Sequence, residues 1–139
     1  MMKANWRREK IHKTTIFTFL NYFVKDHFPQ FSVDFNEEKI WIRGKLTDCD
    51  WKNEYEFLIT TNLTANPITI ILNPEINPKP EIHMYSNKSL CLYWPKDLPI
   101  DYNFKIVTDI IPWLIKWVHY FEIWLRNGNH WLGPEAPHT

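Results

Sequence analysis

Cysteine and glycine are both scarce in this chain, which has two Cys and three Gly among 139 residues. Cys49 and Cys91 are not arranged as C-x-x-C, which argues against a dithiol redox pair and against a zinc ribbon. No Gly-rich loop is present to cradle a nucleotide's phosphates. No apolar run approaches the length of a membrane span, and the N-terminus lacks a signal peptide's hydrophobic region. The expectation is therefore a soluble cytoplasmic protein with reduced thiols. Net charge is missing too, since 16 Lys+Arg balance 16 Asp+Glu. The nearest basic cluster (Lys3, Arg7, Arg8, Lys10, Lys13) reads as a solvated helix start rather than a nucleic-acid arm, because nothing extends it.

Large rings are what the chain has in excess: eight Trp, nine Phe and six Tyr. At this length, and with 45% hydrophobic residues, they suit one domain over residues 1–139 with one continuous core. Ile11, Thr15/Ile16, Phe19/Leu20, Phe23, Val24 and Phe28 recur at helical spacing from about Arg7 until Pro29 closes the run. Four alternating segments follow: Phe31–Phe35, Lys39–Leu46, Glu54–Thr60 and Pro67–Leu72. Short polar connections between them predict an antiparallel meander, with Tyr55, Phe57 and Ile59 on one face. Pro74, Pro78 and Pro80 then forbid regular pairing, so the chain leaves the sheet in an extended form. Ile110, Leu114, Trp117/Val118, Phe121 and Trp124/Leu125 predict a last helix, capped by Thr108 or Asp109, with Pro112 in its first turn and Gly128 as its stop. The fold class is α+β.

Between the proline segment and the last helix lies Pro80–Pro95, which holds His83, Asn87 and Cys91. A single thiol in an irregular loop on a regular scaffold is how a fold presents a nucleophile. The bland alternative is a buried small hydrophobe between Leu90 and Leu92. Cys49, in Asp48-Cys49-Asp50, reads as an incidental turn residue. Cys91, His83, His130 and His138 lack the spacing of a zinc set, so neither metal nor cofactor is expected. A cysteine protease would need a base and a third group to orient it, and no such signature surrounds Cys91. Exchange of a thiol into an already activated acyl group asks for less. It needs an accessible Cys, one donor for the oxyanion and room for an amine, and His83 or Asn87 suits the donor role, although Asn87-Lys88-Ser89 is also good turn chemistry. For His119, among Trp117, Val118, Tyr120 and Phe121, a core or boundary position is expected.

This element order, together with Ser86-Asn87-Lys88-Ser89-Leu90-Cys91-Leu92, resembles the ubiquitin-conjugating-enzyme fold. In that family a His-Pro-Asn tripeptide precedes the catalytic Cys, which Leu commonly follows. Here Glu81-Ile82-His83 stands in place of the tripeptide, so the resemblance passes the oxyanion role to His83. The Trp-rich last helix and the ending from Trp131 through Glu135 to His138 look like the bacterial conjugating-enzyme-like proteins of CBASS anti-phage operons. That resemblance implies a thioester relay in which Cys91 accepts the C-terminal carboxyl of a protein and passes it to an amine. The implied partner is a cGAS/DncV-like cyclic-oligonucleotide synthase, joined through its C-terminal tail, with no nucleic acid and no membrane involved. Activation falls to a separate enzyme, or the system works without one. Two readings from other classes stay open: a catalytically silent module that holds the tail, and a cysteine hydrolase. Trp131, Glu135 and His138 read as a structural tail or partner surface.

Overall fold

The structure of the chain, a computed structural model, describes residues 2–62, 66–93 and 106–133, with side chains from residue 13 onward. Helix α1 spans Met2–His27, and strands β1 (Ser32–Phe35), β2 (Ile40–Leu46), β3 (Tyr55–Thr61) and β4 (Ile68–Asn73) follow it. The sheet is a four-stranded antiparallel meander in the order β1-β2-β3-β4, as the alternation predicts. A π-helical turn at Ile106–Ile110 leads into α2, Ile111–Arg126. The fold is α+β and of the expected kind. Among the described residues no helix is long and apolar enough to cross a membrane.

The buried face of α1 differs from the expected stripe. Phe17, Leu20 and Val24 are fully buried, Ile16 and Phe23 only partly, and Phe19 is 54% exposed. Phe17 and Phe19 both lie on a helical repeat, and the tertiary partner chooses between them. The Phe17 ring meets Phe35 of β1 at 6.1 Å, which rotates the helix away from the Phe19 register. His27 has a capping role at the end of α1, its Nδ1 lying 3.0 Å from the Phe23 carbonyl oxygen.

The inner face of the sheet carries Ile40, Ile42, Leu46, Tyr55, Phe57, Ile59 and Ile71, in one cluster with both helices. Gly44 of β2 falls on this face because Phe31 covers it; a Cβ there would stand 2.3 Å from the Phe31 ring. Phe31 in turn stacks on Phe28 at 5.0 Å and meets Phe57 edge-on at 4.9 Å. The opposite face is partly wet, as the alternation implies, with an Arg43–Glu56 ion pair across β2 and β3 and a Lys45–Glu54 pair from β2 to the residue before β3.

The start of α2 departs from expectation. Ile110 is the residue before the α-helical turn and makes no side-chain cap bond, and Thr108 and Asp109 already lie within the π-helical turn. Pro112 has no N–H to give the preceding turn and its ring crowds that turn's carbonyl; a widened turn accommodates both. Gly128 ends the helix at φ 79°, as predicted. His119 is exposed, not at the core or its boundary. Its side of α2 faces solvent because Trp117, Val118 and Phe121 fix the buried side.

One buried charge fastens α2 to the β2–β3 connection. Glu122 is 1% exposed. Its carboxylate accepts hydrogen bonds from the Lys52 backbone N–H at 2.7 Å, from Asn53 Nδ2 at 3.1 Å and from the Tyr55 hydroxyl. Burial pushes the Glu122 pKa up, but the bonds from Tyr55, Lys52 and Asn53 and the charge of Arg126 outweigh it and hold the carboxyl below the usual range. Burial and the adjacent carboxylate push the Tyr55 phenol the other way, well above its ordinary value.

A depressed folded pKa gives stability that is complete above the unfolded value of about 4.3 and is lost as pH falls through the folded value. Glu122→Ala should cost roughly 2–4 kcal/mol at pH 7, since it leaves buried donors unpaired. Glu122→Gln should flatten the decline in stability below about pH 4.3. Urea denaturation at pH 7 and across pH 5 to 2 measures both, and a Gln variant with the wild-type acid slope would remove Glu122 as the cause.

Candidate active site

The aromatic face of α2 supports the segment that runs from Pro74 to Tyr93. The Trp117 indole N–H donates to the Ile82 carbonyl at 2.8 Å in a buried position. Trp117 stacks on Phe121 at 5.1 Å, and Phe121 on Trp124 at 5.7 Å. Lys79 lies over the Trp124 ring at 5.5 Å, and Tyr93 packs on Trp113 at 6.1 Å. The expected extended strap is therefore laid along a ladder of rings.

At the end of the strap, Pro80–Ile82 form one 3₁₀ turn, closed by the His83 N–H donating to the Pro80 carbonyl at 2.9 Å. His83 itself is left-handed, at φ 56° and ψ 49°. That reverses the chain into a tight hairpin. Met84 bridges Leu90, the Tyr85 N–H donates to the Ser89 carbonyl at 2.8 Å, and the Lys88 N–H donates to the Tyr85 carbonyl at 2.9 Å. Lys88 takes the left-handed position at φ 73°, completing the three-residue turn pattern. Asn87 Oδ1 accepts from the Ser89 N–H at 3.0 Å and from Ser89 Oγ at 2.6 Å, so Asn87 is a turn residue. The Leu90 N–H donates to the Thr69 carbonyl at 2.9 Å, which ties the hairpin to the free edge of β4.

Cys91 follows at the base of the hairpin, and its N–H donates to the His83 carbonyl at 2.8 Å. The two residues selected from sequence therefore stand opposite each other. Cys91 is 3% exposed and His83 4%. Both line a cavity of about 90 Å³ whose other walls are Leu92, Trp113, Lys116, Trp117, Tyr120 and Trp131. The His83 ring meets Trp131 at 5.1 Å, and Trp131 also touches Trp117 and Tyr120, each at 6.1 Å. So the start of the tail folds back over the loop, while Glu135, His138 and the Trp94–Pro99 segment lie outside the described residues. His130 is exposed and is not part of the cavity wall. Cys49 is exposed.

Burial pushes the Cys91 thiol up, against a hydrogen bond from the Tyr85 hydroxyl that pulls it down. Tyr85 is raised in turn, by burial and then by its bond to the thiol. Sequence reasoning did not select Tyr85. Its signal was the alternation Met84-Tyr85 against Leu90-Cys91 on either side of turn residues. The ring walls from α2 carried no loop signal at all, because they read as ordinary core spacing.

The family model for the type II CBASS E2 protein matches residues 21–139. The chain belongs to that family. No curated protein matches it. Membership gives this CBASS E2 protein a role in CBASS and a partner within its operon. The matched span includes the sheet, the hairpin and α2.

Because Cys91 of this CBASS E2 protein is buried and its thiol raised, Cys49 should react first with a thiol reagent at pH 7. Cys91 should follow severalfold more slowly, because its sulfur is buried and burial disfavours the reactive thiolate. Trp117→Phe removes the donor to the Ile82 carbonyl, and should cost about 1–2 kcal/mol while quickening Cys91 labelling. Timed labelling read by intact mass tests both. Equal rates for the two cysteines would contradict the burial of Cys91.

Proposed function

We propose that this CBASS E2 protein is an acyl carrier. Cys91 forms a thioester with the C-terminal carboxyl of a protein and passes the acyl group to an amine. The acyl donor is proposed to be the operon's cGAS/DncV-like cyclic-oligonucleotide synthase, joined through its C-terminal tail, with conjugation regulating CBASS signalling. Activation of the carboxyl falls to a separate enzyme, or the system works without one.

The observation that carries this reading is the placement of the thiol, with Cys91 and His83 buried together at one ring-lined cavity. Burial disfavours the thiolate there, whereas a cysteine hydrolase depends on a paired base that lowers its thiol. A protonated thiol in an aromatic cavity is slow towards unactivated amides and adequate towards thioesters. His83 is proposed to organise the loop and to supply a donor to the oxyanion. Its left-handed backbone supports the first role, since Asn and His enter that conformation more readily than most residues.

The test is intact-protein mass spectrometry after co-expression with the neighbouring cyclase. Wild type should give a thiol-labile cyclase adduct, and Cys91→Ser should trap it as a stable ester. No adduct in either, with the two proteins still co-purifying, would replace the carrier with a silent tail-binding module. His83→Ala should slow transfer by about 10- to 1,000-fold, the range for losing one oxyanion donor. His83→Asn should retain most of the activity. Wild-type rates for His83→Ala would remove His83 from the mechanism.

A further inference from the structure

Tyr85 and Cys91 share one face of the hairpin. Residue 85 pairs with 89 and 84 with 90, so side chains of 84 and 90 project together and those of 85 and 91 project the other way. Met84 and Leu90 are buried in the core, which assigns Tyr85 and Cys91 to the opposite face. They are diagonal neighbours, a separation that an aromatic side chain spans. The Tyr85 ring is half-buried and its hydroxyl bonds to the Cys91 thiol. The turn that sets this spacing is fixed by Asn87 and by left-handed Lys88.

We propose that Tyr85 is a catalytic residue of the acyl relay, donating its phenolic O–H to Cys91 Sγ whenever negative charge develops on that sulfur. This deepens the acyl-carrier reading and rests on it. In loading, the sulfur forms a bond to the carbonyl carbon of an activated acyl donor, a thioester or acyl phosphate. The bond to the leaving group breaks, the leaving group takes its electron pair, and the thiol proton passes to solvent. In discharge, the amine nitrogen bonds to the carbonyl carbon and the C–S bond breaks with its pair on sulfur. One proton lost by the amine then restores the thiol. Sulfur carries charge in both steps, in a place where burial disfavours it, and a donor already aimed at it needs no reorganisation.

The same contact explains how a buried thiol can act without a base. The other ionisable side chains on the cavity wall are His83 from the strap, and Lys116 and Tyr120 from α2. Tyr85→Phe leaves all three in place and removes one oxygen, so any change in titration belongs to the phenol.

The experiment uses the full chain with Cys49→Ser, alkylated by iodoacetamide across pH 7 to 11 and read by intact mass. Tyr85→Phe should move the alkylation midpoint to higher pH and lower the rate at pH 8 about three- to tenfold, the worth of one typical hydrogen bond, with thermal melting unchanged. An unchanged midpoint overturns the proposal. So does a shift in Tyr85→Ala that Tyr85→Phe lacks, because ring packing and not the hydroxyl would then be responsible. In the cyclase co-expression, Tyr85→Phe should load and discharge more slowly than wild type. A wild type without adduct counts against the acyl-carrier reading, while the alkylation profile still judges the bond between phenol and thiol.

Discussion

The hydrogen bond from the Trp117 indole to the Ile82 carbonyl is the constraint on which the site depends. A segment punctuated by Pro74, Pro78 and Pro80 cannot join the sheet, because proline removes the donors that a ladder needs. Its carbonyls must still be satisfied where they are buried. Trp117 meets that need at the last residue before the chain reverses, and the rings of Phe121 and Trp124 extend the same surface beneath the strap. Without this platform the 3₁₀ turn at Pro80–Ile82 would lose a main contact that fixes its direction. The carbonyl of His83, and the thiol opposite it, would lose their places. A helix rich in tryptophan is therefore a structural requirement of an irregular loop, and not merely a large core.

The platform also sets the chemistry. Rings around Cys91 remove water, and removing water raises the thiol. That is a poor arrangement for attacking an amide and a workable one for exchanging thioesters, where the acyl group arrives activated. A raised thiol also protects against oxidation and adventitious alkylation, both of which proceed through the thiolate. On the proposed acyl-carrier reading, selectivity comes from the partner that brings an activated carboxyl. Lys116 at the cavity wall adds a positive charge to an otherwise ring-lined space.

Sequence periodicity exposed the meander, both helices and the extended strap, and residue type singled out Cys91 and His83, because each rests on local spacing or on side-chain chemistry. It did not expose what a tertiary partner decides. The stripe of α1 turned on whether Phe17 or Phe19 would meet Phe35, and two helical registers look alike until β1 is in place. The start of α2 turned on how the backbone accommodates Pro112, where a widened turn displaces the expected cap. Tyr85 was hidden because a seven-residue hairpin offers only one alternation on each arm, too short to stand out beside a conspicuous Cys and His.

The absence of His-Pro-Asn is less of a departure than the letters imply. Position 83 sits in the left-handed region, which costs a residue with a β-carbon roughly 1–2 kcal/mol, and Asn and His are among the side chains that tolerate it best. The backbone must turn there so that the carbonyl of residue 83 can accept the Cys91 N–H. The geometric demand therefore selects from a short set of residues, and His83 is a member of that set, as Asn would be. His differs from Asn in its ring, which reaches Trp131 and ties the folded-back tail to the loop. An Asn at the same place would keep the turn and lose the tether. On this reasoning the tail beginning at Trp131 and the His at position 83 belong together: the residue that makes the turn is also the one that gives the tail something to cover.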